Sequence, residues 1–221
     1  GLMLRSANDA AEMLALETAG SIEAFAALMN EKAAALGAVN THFENPHGLD
    51  GKEHYTTARD LAQIAAAAMK AELFREIVGQ RSVKMPAPDG GVRVVANHNK
   101  LLYLYEGACG IKTGFTKKCG RCLVGAAERE GVELISVTLS ASDDWNDHKK
   151  LFDYGFSKLE NKRLAEKGEC LSETDLPGRE SPVKLLAEEE VRLVLPRGAE
   201  VKTEIDLRRP LHPVTPGAVL G

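Results

Sequence analysis

The stretch C-G-I-K-T-G-F-T-K-K-C-G-R-C-L-V-G-A-A-E-R-E-G-V-E-L-I-S-V-T-L, residues 109–139, decides the fold of this 221-residue chain. It contains three apolar runs of strand length, at 109–114, 121–127 and 133–139, and short polar turns separate them. Runs of this length bounded by glycine and charged residues predict strands, and short connections favour antiparallel neighbours. The stretch therefore predicts a three-stranded antiparallel meander.

Helical patterns precede this sheet. An alanine-rich run at 9–19 ends at Gly20, and Ser21 is a favourable N-cap for a second helix. The buried face of that second helix, which Gly37 ends, is predicted to comprise Ile22, Phe25, Ala26, Met29, Ala33 and Leu36. Thr57 followed by Asp60 resembles a capping box and predicts a third helix. Its apolar stripe consists of Leu61, Ile64, Ala65, Ala68 and Met69.

The segments between and after these helices carry loop and strand patterns. Residues 40–56 are rich in Asn, His, Gly and Pro and lack periodicity, which predicts a long ordered loop. From Ser82 onwards, apolar runs at 92–95 and 101–104 alternate with proline and glycine, a pattern typical of strands and turns.

A helix that covers the sheet is predicted after the meander. Ser142 is its expected N-cap, and its apolar face comprises Trp145, Phe152, Phe156 and Leu159. Helices, then strands, then a packing helix predict an α+β domain at 1–159.

A second domain is predicted at 160–221, where charged segments are punctuated by proline. Two groups of residues alternate with polar neighbours in the manner of half-buried strands: Val191, Leu193 and Leu195, then Thr203, Ile205 and Leu207. We therefore expect a small all-β domain, incomplete where the sequence stops at Gly221.

Composition excludes some functions and leaves others open. The chain has 28 basic and 32 acidic residues and a net charge of -4, without a basic cluster interleaved with aromatics, so nucleic acid is not an expected partner. No apolar run approaches the length of a membrane span, and the first residues lack the pattern of a signal peptide. The C-x-x-C at 119–122 has redox or zinc spacing, but its context favours two small core or edge residues.

The triplet Lys112-Thr113-Gly114 lies in the first strand of the meander. A lysine ammonium and a threonine hydroxyl suit the binding of a substrate carboxylate, and a glycine lets a substrate backbone come close. Ser6-Ala7-Asn8 lies 106 positions earlier (112 minus 6) and is a weak pattern by itself. Since hydroxyls before an alanine-rich run commonly cap helices, Ser6 is also a candidate N-cap.

Four longer motifs carry a resemblance to a known family. They are S-A-N-D-A-A at 6–11, N-T-H-F-E-N-P-H-G-L at 40–49, H-Y-T-T-A-R-D-L-A at 54–62 and G-I-K-T-G at 110–114. Together they resemble the serine-type D-alanyl-D-alanine carboxypeptidases, peptidase family S11, of the low-molecular-mass penicillin-binding protein class. The match runs from Ser6 to about Leu159. It implies a β-lactamase/transpeptidase-like catalytic domain, and the tail resembles the family's C-terminal β-rich domain.

The resemblance implies roles for six residues. Ser6 would relay a proton toward the leaving amine, and Asn8 would hold the first lysine and the substrate amide. Lys112 and Thr113 would bind the terminal carboxylate. Gly114 would permit close approach of the substrate, and the backbone N–H of Phe115 would form half of an oxyanion hole.

The resemblance also implies partners and a location. The partners would be peptidoglycan stem peptides and β-lactam antibiotics, with no metal and no cofactor. The protein would be exported, to the periplasm or the outer face of the cytoplasmic membrane. Anchoring through a C-terminal segment beyond these residues, oligomeric state, cysteine pairing and the preference for carboxypeptidase or endopeptidase action stay open.

One element of the family signature, Ser-x-x-Lys, is missing before Ser6. The sequence contains one such pattern, at 181–184, where a proline interrupts it and the all-β tail surrounds it, so we interpret it as accidental. We therefore expect the chain to be a fragment that lacks the nucleophile and the base and is inactive alone.

Two other functions compete with this interpretation. A serine β-lactamase should end soon after the helix that follows Lys112, whereas a further β-patterned tail is present. A non-catalytic wall-binding protein would explain the missing Ser-x-x-Lys.

Two candidate sites in the 40–56 loop are disfavoured. The spacing of His42, His47 and His54 disfavours a zinc site, and Glu44 is interpreted as a solvated loop carboxylate rather than a deacylating glutamate.

Overall fold

The computed structural model describes residues 1–87, 89–175 and 181–205. The chain divides into two compact units, Gly1–Ser157 and Lys158–Gly221. The helices are α1 (Leu2–Arg5), α2 (Asn8–Ala19), α3 (Ile22–Ala35), α4 (Ala58–Ala68), α5 (Glu72–Gly79), α6 (Leu101–Leu104) and α7 (Asp144–Lys158). The strands are β1 (Ser82–Pro86), β2 (Val92–Ala96), β3 (Ala108–Thr116), β4 (Gly120–Arg129), β5 (Val132–Thr138), β6 (Leu159–Ala165), β7 (Cys170–Thr174), β8 (Val183–Leu186) and β9 (Val191–Pro196).

The predicted meander is confirmed as an antiparallel sheet with strand order β3-β4-β5. In its register Lys112 pairs with Val124, Gly114 with Cys122 and Phe115 with Arg121. Strand β3 therefore forms one edge of the described sheet, with one side of its backbone facing away from β4.

Both faces of the sheet are covered, which explains why β4 is apolar without alternation. On one face, α4 and α5 pack a core of Ala65, Met69, Val78, Ile111 and Ala126. On the other, α6 and α7 pack a core of Leu101, Tyr105, Leu123, Ala127 and Phe152. The mixture of helices with an antiparallel sheet confirms the predicted α+β class.

Helix α7 approaches the sheet at a glycine. A Cβ at Gly125 would lie 2.7 Å from His148 Nδ1 and 3.0 Å from Leu101 Cδ1, so no larger residue fits without displacement. His148 is fully buried and hydrogen-bonds Ser136 Oγ (2.6 Å) and Thr138 Oγ1 (3.0 Å) through its two ring nitrogens. Burial lowers its pKa to about 4.

The N-terminal helices follow their sequence patterns with one difference. Ser21 caps α3 by accepting from Ala24 N, and Thr57 caps α4 by accepting from Asp60 N. However, the Asp60 carboxylate does not complete a capping box. It is buried and accepts from Asn40 N (2.7 Å) and Thr41 Oγ1 (2.8 Å), so it anchors the 40–56 loop instead.

Two local predictions were wrong. Residues 101–104 form helix α6 rather than a strand; Leu101 and Leu102 are both buried, and Asn99 Oδ1 accepts from Leu101 N. A short apolar run does not distinguish a buried strand from a buried helical turn. Leu159, expected on the covering helix, begins β6. Helices α1 and α5 were not predicted.

The second unit contains two antiparallel pairs, β6-β9 and β7-β8. The pattern at 191–195 does form a strand, but Val191 and Leu193 are exposed rather than half-buried. Thr203 and Ile205 lie outside any strand, and Leu207 lies outside the described residues. Lys184, of the 181–184 pattern, lies in β8 and pairs with Glu173 at 3.6 Å, so it is not on a helical turn.

Candidate active site

A cleft of about 690 Å³ lies along β3 in the first unit. Its walls come from the junction of α1 with α2, the 40–56 loop, the segment before α6 and the start of α7. The lining residues are Ser6, Asn8, His47, Gly48, Leu49, Asn97, His98, Lys100, Lys112, Thr113, Gly114, Phe115, Thr116, Arg121, Asp144 and Trp145. All six residues that the sequence nominated are among them.

Ser6 reaches the cleft through an unusual backbone conformation. It is the C-cap of α1, with φ 57° and ψ 43°, and its N–H donates to Leu2 O at 2.9 Å. This left-handed residue aims the hydroxyl at Lys112, whose Nζ donates to Ser6 Oγ at 2.7 Å. The expected N-cap role of Ser6 is wrong, because the N-cap of α2 is Ala7 and no side chain caps it.

Lys112 is held on the cleft wall by two contacts. Besides Ser6 Oγ, its Nζ donates to Thr113 O at 2.6 Å. The side chain is half-buried, and burial lowers the pKa of the ammonium. A half-buried ammonium bonded to a hydroxyl can attract an anion and share a proton with that hydroxyl.

Asn8 is the first residue of α2 and follows Ser6 by two positions. Its side chain is exposed and has no hydrogen-bond partner among the described residues. The amide therefore keeps both its donor and its acceptor capacity for a ligand in the cleft.

Gly114 is exposed, and the protein's own packing does not require a glycine there. A Cβ at this position would lie 3.8 Å from Cys122 Cβ, an ordinary van der Waals distance. The next residue, Phe115, exposes 69% of its surface at the open end of β3. A ligand that approaches the edge strand would meet little steric resistance here.

Arg121, Asp144 and Trp145 also line the cleft, and the sequence analysis did not nominate them. Arg121 Nε and Nη2 donate to Asp144 Oδ2 (3.1 Å) and Oδ1 (2.8 Å). The Asp144 side chain is only 3% exposed, whereas that of Arg121 is 42% exposed. In the β3–β4 register Arg121 pairs with Phe115, the residue that follows Lys112-Thr113-Gly114. A correct prediction of this register would therefore have identified Arg121 as a cleft residue.

The 40–56 loop is tied to the end of β3. Thr116 Oγ1 and Cys119 Sγ both donate to Asp50 Oδ1, at 2.9 and 3.2 Å. All four cysteines are free thiols, and Cys119 lies in the β3–β4 turn. These bonds hold the part of the loop that lines one side of the cleft, His47, Gly48 and Leu49.

The loop histidines make local contacts. His42 Nδ1 hydrogen-bonds Glu53 O (2.6 Å), His54 Nδ1 accepts from Glu44 N (3.1 Å) and His47 Nδ1 accepts from Leu49 N (3.2 Å). Within the described ranges, no group of three His, Cys, Asp or Glu side chains is arranged to hold a metal ion. Glu44 packs its carboxylate against Gly51 and is not among the described lining residues.

The cleft is rich in cations although the chain is acidic overall. Lys100, Lys112 and Arg121 line it, and the acidic residue on the lining, Asp144, is already paired with Arg121. His98 also lines the cleft, and burial, Arg5 and Lys112 lower its pKa. The cleft therefore favours an anionic ligand.

The part of the chain that the structure describes includes no helix with the length and apolar character needed to cross a bilayer.

Known proteins resemble this chain in sequence and fold. It is 39% identical over 165 residues to D-alanyl-D-alanine carboxypeptidase DacB2 of Mycobacterium tuberculosis (71% of this chain, 56% of the relative). It is 36% identical over 205 residues to D-alanyl-D-alanine carboxypeptidase DacA of Escherichia coli K12 (90% and 49%). The chain thus spans about half the length of these relatives.

A crystal structure of penicillin binding protein 5 from Haemophilus influenzae superimposes with a TM-score of 0.69 at 30% identity, covering 90% of this chain and 58% of that one. The α+β architecture is therefore that of the penicillin-binding fold, as predicted. The family model described as Peptidase_S11, D-alanyl-D-alanine carboxypeptidase, matches residues 1–143, which include the whole cleft except Asp144 and Trp145. With close to two thirds of its length matched in this way, the chain belongs to the S11 family of D-alanyl-D-alanine carboxypeptidases.

Proposed function

We propose that this chain forms the substrate-holding side of a serine-type D-Ala-D-Ala carboxypeptidase site. The reaction would remove the terminal D-Ala of peptidoglycan stem peptides. The observation that carries the proposal is the 2.7 Å hydrogen bond between Lys112 and Ser6 on the wall of a cation-rich cleft. Membership of the S11 family supports the reaction class.

The residues of the cleft have distinct roles in this proposal. Lys112 and the hydroxyl of Thr113 bind the terminal carboxylate of the substrate. Ser6 carries a proton to the leaving amine, and the lowered pKa of Lys112 eases that transfer. Asn8 holds the substrate amide, which its free side chain permits. Gly114 lets the peptide approach β3, and the N–H of Phe115 donates to the oxyanion.

The proposed reaction has two covalent steps. A serine hydroxyl attacks the carbonyl of the penultimate D-Ala, the peptide C–N bond breaks, and D-Ala leaves with a proton on its amine. Water then hydrolyses the acyl ester and restores the serine. The attacking serine and its lysine base are not among the cleft residues, and we expect both from a Ser-x-x-Lys outside these 221 residues.

The same proposal covers the domain organisation, the ligands and the site of action. Residues 1–159 form part of the catalytic domain, and residues 160–221 form the β-rich domain that follows it. Peptidoglycan stem peptides and β-lactams are the ligands, and the site of action is the cell wall outside the cytoplasmic membrane.

The test is to label the product of the complete gene with a fluorescent penicillin and to measure D-Ala release from diacetyl-L-Lys-D-Ala-D-Ala. Both signals should be present, and both should vanish when the serine of the Ser-x-x-Lys is changed to alanine. A complete reading frame without a Ser-x-x-Lys, or penicillin turnover without D-Ala release, would overturn the proposal. The second result would indicate a serine β-lactamase.

A further inference from the structure

Three large apolar side chains line the cleft near the end of β3, and the proposed reaction assigns no role to any of them. They are Leu49 of the 40–56 loop, Phe115 of β3 and Trp145 of α7, and we call them the apolar patch. Leu49 exposes 49% of its surface and Phe115 exposes 69%. Because exposed apolar surface gains free energy when a ligand covers it, this part of the cleft favours an apolar group.

Phe115 and Thr113 lie on the same face of β3, because side chains two positions apart along a strand point to the same side. In the β3–β4 register Thr113 pairs with Leu123, and Phe115 pairs with Arg121. Leu123 belongs to the core that α6 and α7 pack against the sheet. The hydroxyl of Thr113 and the ring of Phe115 are therefore neighbours on the face that α7 covers.

Trp145 is held beside this face by contacts on two sides. It packs against the core that contains Leu123, and its ring lies 5.5 Å from the guanidinium carbon of Arg121. Its backbone N–H donates to Asp144 Oδ1 at 2.9 Å, and the same carboxylate accepts from Arg121. Since Trp145 is only partly buried and lines the cleft, it contributes a fixed apolar wall beside the Phe115–Arg121 pair.

Leu49 reaches the same end of β3 from the loop. The next residue, Asp50, accepts from Thr116 Oγ1 at 2.9 Å, which ties the loop to the last residue of the strand. The backbone of Leu49 is also fixed, since its N–H donates to His47 Nδ1 at 3.2 Å and its carbonyl accepts from Asn45 Nδ2 at 3.0 Å. The apolar patch is therefore preformed.

The proposed function places one particular side chain next to the apolar patch. The terminal carboxylate of the substrate binds at Lys112 and Thr113, and the Cα atom bonded to that carboxylate carries the side chain of the terminal D-residue. This side chain therefore begins two bonds from the carboxylate carbon, on the strand face that Thr113 shares with Phe115. In D-Ala it is a single methyl group, which covers little of three side chains of this size.

We infer that the apolar patch is the pocket for the side chain of the leaving residue, and that it accepts apolar D-residues larger than D-Ala. The inference rests on the proposed function and names a wider substrate class, stem peptides that end in D-Ala-D-Xaa with an apolar Xaa. The same peptide C–N bond breaks, and the proton of the attacking serine leaves on the amine of the free D-amino acid. Water then supplies a hydroxyl to the acyl carbon and a proton to the serine.

The experiment measures release of the terminal amino acid from diacetyl-L-Lys-D-Ala-D-Ala and from diacetyl-L-Lys-D-Ala-D-Leu by the complete gene product. The wild type should cleave the D-Leu peptide with a kcat/KM of at least about a third of the D-Ala value, because the isobutyl group is covered by the apolar patch. A pocket shaped for a methyl group alone would reject the longer side chain by about tenfold or more.

Variants of the apolar patch should change the ratio of the D-Leu to the D-Ala kcat/KM. Leu49→Ala and Trp145→Ala should each lower this ratio about three- to tenfold, since each removes surface that the isobutyl group contacts. Leu151→Ala is the matched control, because Leu151 is 45% exposed on α7 and is not among the residues that line the cleft. It should leave the ratio unchanged.

Folding of each variant is checked by circular dichroism and thermal unfolding. Trp145→Phe, which keeps an aromatic ring against the core, replaces Trp145→Ala if the alanine variant does not fold, and it should lower the ratio about threefold. Because the ratio compares two substrates on one enzyme, a general loss of active protein does not alter it.

The failures are distinguishable. Release of neither amino acid by the wild type would overturn the proposed function and this inference with it. Release of D-Ala with a D-Leu value below a third, or a ratio that stays at the wild-type value in folded Leu49→Ala and in the folded Trp145 variant, would overturn the inference about the apolar patch alone.

Discussion

At the scale of single residues, the cleft combines positions that sequence motifs identify with positions that only the register brings there. Ser6 and Lys112 belong to short sequence patterns that marked them as candidates, and both line the cleft. Arg121 and Asp144 were not, because their ion pair depends on the β3–β4 register and on where α7 starts. The sequence pattern around Ser6 predicted an N-cap, which is wrong. A hydroxyl before an alanine-rich run does not show that the residue has a left-handed backbone and ends the preceding helix.

The backbone of Ser6 provides a prediction about stability. A residue other than glycine at φ 57° is strained, so Ser6→Gly should be more stable than Ser6→Ala by about 1 kcal/mol. Both variants lose the hydroxyl that Lys112 contacts, and in the complete enzyme both should slow acylation by about a hundredfold. Urea unfolding and penicillin acylation rates measure the two effects. A more stable Ser6→Ala, or acylation at the wild-type rate in either variant, would contradict the account.

At the scale of elements, the hydrophobic periodicity of the sequence predicted which faces of the helices and strands are buried. The meander, α3 and α4 carry patterns that match their buried faces, so the sheet that presents Lys112 was predictable. Helix α6 was not, because four apolar residues fit a buried strand as well as a buried turn. The role of the 40–56 loop was also hidden, since Asp50 and Asp60 bond partners that are distant in sequence.

Two glycines on paired strands give matched substitutions. Gly125→Ala forces a Cβ to within 2.7 Å of His148 and should cost about 1–3 kcal/mol in the free energy of unfolding. Gly114→Ala meets only Cys122 at 3.8 Å and should change stability by less than about 0.5 kcal/mol. It should nevertheless weaken peptide binding, because Gly114 lines the cleft and an added methyl group hinders close approach of a substrate backbone. If Gly114→Ala binds diacetyl-L-Lys-D-Ala-D-Ala as the wild type does, β3 is not the substrate edge.

At the scale of the whole molecule, a cation-rich cleft in an acidic chain is the feature that composition could not predict. The net charge of -4 is a sum over the whole chain, whereas the charge of the cleft lining depends on which side chains the fold brings together. In the second unit the sequence pattern predicted a strand correctly but not its burial. Its alternating pattern predicted strand β9, but not that Leu193 is exposed there.

The stability of the fold should fall as the pH is lowered, because of His148. Its folded pKa is about 4 against an unfolded value of 6.5, so below pH 6.5 the unfolded state binds the extra proton. The loss should grow from pH 6.5 to about 4 and reach about 3 kcal/mol. Denaturant unfolding at pH 7, 5.5 and 4 measures it.

His148→Gln is the control for this pH effect, and it should flatten the slope between pH 6.5 and 4. Asp60 also contributes to the loss of stability in acid, but only at lower pH, because its pKa is lowered. Burial alone would raise the pKa of this carboxyl, but hydrogen bonds from Thr41, Asn40 and Thr57 outweigh burial. An unchanged slope in His148→Gln would mean that other groups carry the acid sensitivity.

We propose that the β3 cleft is the substrate-holding wall of a D-Ala-D-Ala carboxypeptidase. The decisive assay is D-Ala release from diacetyl-L-Lys-D-Ala-D-Ala by the complete gene product, comparing the wild type with Lys112→Ala and Lys117→Ala. Lys117 is an exposed lysine of the same hairpin that does not line the cleft. Lys112→Ala should lower kcat/KM at least about a hundredfold, whereas Lys117→Ala should stay near the wild type. Near-normal D-Ala release by folded Lys112→Ala would contradict it.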